Sequence, residues 1–268
     1  MTHSPSSIRR FLGWRWWRGW RGWLVFAVVT AIVSTLGITA LVRTFSDPPS
    51  PWSEYPGVPQ TSPDQVVKNE TVEELSPRVD KAMAEVRDAI TAEFGFTWTP
   101  KGKDVVEYET NRFHGTSLLN TYDSVNWQTS ETLRTVEDKE RAVKIVSDVM
   151  ERNGFGTPQL QNVPGPGAVY EFGGYTLQDQ GRWVVLGQPP EVSRGSLQFV
   201  ILDLSHDRTQ VLADASSSAV ESLGWEPEYL SISYHGDFML KESDRAEFAR
   251  RAATYAGHIL PVPGSNTD

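Results

Sequence analysis

No cysteine occurs anywhere in the 268 residues. That absence excludes disulfide bonds, a thiolate zinc site, a cysteine nucleophile and lipid attachment through a cysteine. Stability must come from the core alone, and the roughly 190 residues beyond position 70 are enough for one. Histidine is scarce as well: His3, His114, His206, His235 and His258 are the whole set, and none shows zincin spacing. A G-x-S-x-G nucleophile elbow is missing. Gly154-Phe155-Gly156 and Gly173-Gly174 lack the Lys-Ser/Thr or strand–helix setting of a phosphate cradle. No metal and no cofactor are therefore expected.

Acidic residues are missing from positions 1–46, which hold six arginines; the remainder carries 19 basic against 34 acidic residues, a net of −15. A field of that sign repels nucleic acid, so no nucleic-acid partner is expected, and it suits cations, basic partners or plain solubility. Within the acid-free start, Trp23–Val42 is an uncharged run of twenty residues. At ~1.5 Å per residue it matches roughly 30 Å of bilayer hydrocarbon. The arginine-rich flank before it predicts a single-pass helix with the N-terminus cytoplasmic and the rest extracytoplasmic, at the cell membrane. Arg15, Trp16, Trp17, Arg18, Trp20, Arg21 and Trp23 are the expected lipid-interface residues, with membrane lipid as their partner. A cleaved secretory signal competes, but its apolar core is shorter, and Ile38-Thr39-Ala40-Leu41-Val42 makes a poor cleavage site.

The chain then reads as a Pro/Ser-rich stalk over 43–70, an extracytoplasmic domain over 71–260 and a polar tail over 261–268, after a flank at 1–22 and the span at 23–42. In the domain, Ser76 and Pro77 predict a helix start, with Val79, Met83, Val86, Ile90 and Phe94 as its apolar stripe and Gly95 as its end. A second helix is expected over 136–152 and a last one over 243–256. Strands are expected at 96–99, 105–110, 124–129, 159–163, 169–177, 182–187, 197–204 and 230–234, with a weaker one at 210–213 and a loop over 111–122. This order predicts an α+β fold: an antiparallel sheet with two or three packing helices, preceded by the single transmembrane helix.

Two short clusters carry the candidate chemistry. Asp203-Leu204-Ser205-His206-Asp207 offers carboxylates and an imidazole at a strand end, although Asp207-Arg208 also reads as a turn. Ser233-Tyr234-His235-Gly236-Asp237 leaves a strand whose alternation puts Ser233 and His235 on one face. His206, Asp207, His235 and Asp237 are thus the residues to watch, with no catalytic set assigned. Trp98, Trp127, Trp183 and Trp225 are candidates for a stacking groove or for core packing.

Three passages, Phe94-Gly95-Phe96-Thr97-Trp98, Asn153-Gly154-Phe155-Gly156 and Ile232-Ser233-Tyr234-His235-Gly236-Asp237-Phe238, together resemble the LppA-type envelope lipoproteins of mycobacteria and related actinobacteria. The resemblance covers roughly 75–257 and implies an envelope-facing α+β domain, with no catalytic residue to carry over. Such proteins are usually anchored through a lipidated cysteine, which this chain lacks. The expectation is a binding or accessory module of the cell envelope that acts through contacts with a protein partner. Its alternative is an envelope hydrolase or a carbohydrate- or peptidoglycan-binding domain using the His/Asp clusters or exposed tryptophans.

Overall fold

Proline in a first helical position opens α1 (Pro63–Lys68), where its missing N–H leaves no bond unmade. A Thr-x-x-Glu box opens α2 (Val72–Phe94): the Thr71 amide donates to the Glu74 carboxylate at 2.8 Å, and the Glu74 amide donates to the Thr71 hydroxyl at 3.3 Å. Gly95, at φ +76°, ends α2 in a left-handed turn. Then come β1 (Trp98–Lys101), β2 (Val105–Thr110), β3 (Thr116–Asp123), β4 (Asn126–Thr129) and α3 (Val136–Arg152). The remainder runs β5 (Gln159–Leu160), α4 (Ala168–Phe172), β6 (Arg182–Gly187), β7 (Arg194–Leu202), α5 (Val211–Leu223), β8 (Tyr229–Met239) and α6 (Arg245–Ala253). This is a computed structural model that describes residues 52–59, 61–111, 115–189 and 194–256. The chain divides between Ser50 and Pro51, and every described residue belongs to the second unit.

The described strands form one antiparallel sheet in the order β1-β4-β8-β7-β6-β5. β7 lies along one side of β8, while β4 and β3 share the other side, and β2 pairs with β3 beyond. One face packs on α2 and α3, where Val79, Met83, Val86, Ile90, Ala142 and Val146 meet Trp183, Phe199, Ile201, Leu230 and Ile232. Each such side chain removed from water contributes about 1.5–3 kcal/mol before conformational entropy is counted.

Among the described residues, the opposite face is covered only in part. Ala168 and Phe172 of α4 and Leu212 of α5 pack on Val184, Val200, Leu202 and Tyr229. The burial rhythm records where this cover stops. β8 is buried at every position from Tyr229 to Ile232, then alternates through half-buried Ser233, buried Tyr234, exposed His235 and buried Gly236. β7 changes in the same way at Gln198. A strand buried on both faces has no period, and one with a free face has a period of two. A third cluster, with Val58, Val66, Phe248 and Ala252 against Leu119 and Leu240, fastens the first described residues and α6 to the sheet.

The expected class held two or three packing helices and a transmembrane helix, and both need correction. Six α-helices occur among the described residues. No helix among them is long and apolar enough to cross a membrane, since even α2 is studded with charged residues on its outer side. The expected span at 23–42, its interface residues Arg15, Trp16, Trp17, Arg18, Trp20, Arg21 and Trp23, and the 261–268 tail lie outside the described residues.

Several elements also differ from their expected form. The helix expected from Pro77 starts five residues earlier, because the capping box satisfies its first amides and Pro77 forgoes only one bond inside. The stretch expected as a stalk contains α1, and Tyr55 and Val58 are fully buried. The loop expected over 111–122 contains β3, with Ser117 and Asn120 buried and hydrogen-bonded. Residues 169–177 begin as α4, which Gly173 stops at φ +82°; a Cβ there would lie 2.8 Å from Leu212 Cδ1. Residues 210–213 belong to the start of α5, whose Ala213 amide donates to Asp207 Oδ2 at 2.9 Å.

Candidate functional site

Register carries His235 onto the uncovered part of the sheet. It faces Asp123 of β3 and Ser196 of β7 across the strands, and Glu107, Thr121, Ser233, Asp237 and Gln198 share that face. Nδ1 of His235 is 2.6 Å from Asp123 Oδ1, and Nε2 is 3.2 Å from Asp237 Oδ1. Both ring nitrogens can serve carboxylates only as donors, so the imidazolium is the form this geometry favours. Burial alone would lower its pKa, but the hydrogen bond to Asp123 and the charges of Asp237 and Asp123 raise it above the ordinary histidine value.

This arrangement sets what His235 can do. As an imidazolium hydrogen-bonded to Asp123 and paired with Asp237, it has no free lone pair to take a proton from Ser196 or Ser233. Among the described residues, no group of three or more His, Asp or Glu is placed to hold a metal ion. What remains is an open, hydroxyl-bearing sheet face with Glu107, Asp123 and Asp237 around one histidine.

The floor beneath that face is tightly built. Tyr234 points the other way and lies over Gly195 and Gly236, which pair across β7 and β8. A Cβ on Gly195 would fall 1.9 Å from the Tyr234 hydroxyl, so only glycine lets the ring lie there. That hydroxyl is buried and has no hydrogen-bond partner among the described residues, and burial pushes its pKa up.

The other expected cluster is occupied by structural work. Asp203 is fully buried, and its carboxylate receives Lys139 Nζ at 3.0 Å, Arg134 at 2.5 Å and the Ser205 hydroxyl at 2.6 Å. Burial would raise its pKa, yet the hydrogen bonds from Ser205, Lys139 and Arg134 and the charge of Lys139 hold it below the usual carboxylate range. Arg134 also pairs with Glu228 through both nitrogens, at 2.5 and 2.8 Å. His206 Nε2 stands 3.7 Å from Asp203 Oδ2, beyond hydrogen-bond reach. Asp207 holds the Thr209 and Ala213 amides at the start of α5. His206 and Asp207 are therefore not brought together with His235 and Asp237.

Lys139 escaped sequence reading, although it lies in phase with Ala142, Val146 and Val149 on the buried stripe of α3. That phase was the available signal. The tryptophans do not line a groove: Trp183 is buried and donates to the Gln180 carbonyl at 3.1 Å, and Arg87 lies 3.6 Å over the Trp127 ring. Trp98 packs half-buried on the main core, and Trp225 meets Tyr229 edge-on. His3, His114 and His258 lie outside the described residues. No family model, curated protein or solved structure matches this chain, and the resemblance to LppA-type proteins finds no support there.

Proposed function

We propose that the described domain is a binding module that acts through protein contacts, with the open sheet face as the contact surface. The single observation that carries this reading is the switch of β7 and β8 from continuous to alternating burial, which leaves polar and acidic side chains uncovered on an otherwise packed sheet. Glu107, Asp123 and Asp237 favour a basic partner, and the net charge of −15 beyond residue 46 would steer its approach over long range. A hydrolase reading is disfavoured because both nitrogens of His235 and all the Asp203 oxygens are engaged. A carbohydrate-stacking reading is disfavoured because Trp183 is buried and Arg87 covers the Trp127 ring.

The test is photocrosslinking in cells, with a photoreactive amino acid replacing Gln198 or Ser233 in the full chain and Glu140 on α3 as the control position. A protein adduct should form from the sheet face and not from the control. Once purified, the captured protein should bind the Asp123→Lys/Asp237→Lys variant at least tenfold more weakly. Adducts that are absent, or equal at all three positions, would overturn the reading.

A further inference from the structure

Three strand edges are free among the described residues, and they differ in how well they are protected. An unpaired edge offers a row of N–H and C=O groups to any extended chain, so proteins shorten or block such edges. β5 is only two residues long and follows Pro158. β1 has four residues and contains Pro100, which lacks an N–H. β2 has six residues, Val105-Val106-Glu107-Tyr108-Glu109-Thr110, with neither proline nor glycine and with four residues of high strand preference. Its pairing with β3 is regular from Val105 to Tyr108 and shifts register between Tyr108 and Thr110, so of the three it is the longest edge, with four regular residues to offer a partner.

The register says what that partner carries. Val105 pairs with Asp123 and Glu107 with Thr121, which puts Glu107 on the open face beside His235 and its carboxylates. Glu109 reaches the same side, where its carboxylate accepts from the Thr121 hydroxyl at 2.6 Å. Val106 pairs with buried Tyr122, and Tyr108 with buried Asn120, on the opposite face. Tyr108 is half exposed, with Lys241 Nζ 4.6 Å over its ring. A strand laid along β2 would thus meet Glu107 and Glu109 beside Val105 on one side, and Val106 and Tyr108 on the other, where the Tyr108 hydroxyl donates to Asp244 at 3.0 Å.

We propose that the free edge of β2 receives an extended segment of a partner protein as an added strand, and that this segment alternates basic and apolar side chains. Main-chain hydrogen bonds would supply affinity, and the alternation would supply specificity. Glu107 and Glu109 disfavour a second copy of this chain on the same edge, because antiparallel pairing would oppose like charges. The inference rests on the reading of the domain as a protein-contact module and deepens it.

The probe is a synthetic peptide of alternating lysine and valine, Lys-Val-Lys-Val-Lys-Val-Lys with blocked ends, titrated into the full-length protein and followed by amide NMR. Amide signals of 105–109 should shift, and their hydrogen exchange should slow at least tenfold at saturation. A peptide with proline in place of each valine keeps the charge but loses three of the seven residue amide donors, and should bind at least tenfold more weakly. The Glu107→Lys/Glu109→Lys variant should lose affinity for the valine peptide by a similar factor. Equal binding of the proline peptide, unchanged affinity in the variant, shifts centred elsewhere, or no shift at all would each overturn strand addition. If the crosslinks from Gln198 and Ser233 survive such a result, strand addition alone falls; if they are also absent, the protein-contact reading falls with it.

Discussion

Lys139 is 1% exposed, and its ammonium answers the fully buried carboxylate of Asp203 at the end of β7. Charges that deep are tolerable only while each has its partner, and removing one strands the other in a medium that solvates it poorly. Replacement of Lys139 by Met should therefore lower stability by about 3–5 kcal/mol in urea unfolding. A loss under 1 kcal/mol would mean that Arg134 alone satisfies Asp203. His235 belongs to the same scale. Its folded pKa is raised, so its contribution is fully present below the ordinary value of about 6.5 and is lost as pH rises through the folded value. A profile of urea midpoint against pH should fall across that window in the native protein and flatten in His235→Gln. Because His235 is more than half exposed, the amplitude should be small. Neither pairing was legible in sequence. Lys139 and Asp203 are 64 positions apart, and Asp123 and His235 are 112 apart, so only the fold brings them within reach.

At the scale of elements, local signals worked where the residue pattern and the cover agreed. α3 has a strong apolar stripe and a Thr135 cap, and its ends at Val136 and Arg152 stand where periodicity puts them. β2 occupies the residues that its alternation marks. The misread elements share a cause, which is that tertiary contacts satisfy groups that a local reading assigns to loops or to the other element type. β3 buries Ser117 and Asn120, and carbonyls of Pro56, Leu118 and Met239 accept their hydrogen bonds. α4 was hidden by the strand-favouring Val169, Tyr170 and Phe172, although its buried Ala168, Val169 and Phe172 follow helical spacing. The early start of α2 depends on one box, which gives a clean test. Thr71→Ala removes the acceptor for the Glu74 amide and should lower the unfolding midpoint by an amount equivalent to about 1 kcal/mol. Glu74→Gln should cost less, since its side chain can still accept from the Thr71 amide.

At the scale of the whole described unit, three apolar clusters share one sheet, and none is insulated from the others. β8 alone touches all three, through Ile232, Tyr229 and the Phe238–Leu240 end. Unfolding should accordingly be a single cooperative event. Phe248→Ala in α6, at the margin of the sheet, should lower the midpoint of the entire transition, read by tryptophan fluorescence, with a loss of about 3–5 kcal/mol. A separate early phase confined to α1 and α6 would show that cluster to be an independent unit. The sequence by itself determined the absence of disulfides, the acidity of everything after residue 46 and the amphipathic faces of α2 and α3, because composition and period are local properties. Which part of the sheet stays uncovered, which edge stays long enough to pair and which carboxylates flank His235 were decided by the tertiary structure alone. The first depends on where α4 and α5 stop covering β7 and β8, and the other two on how β2, β3 and β8 pair; all are set by contacts between residues far apart in the chain.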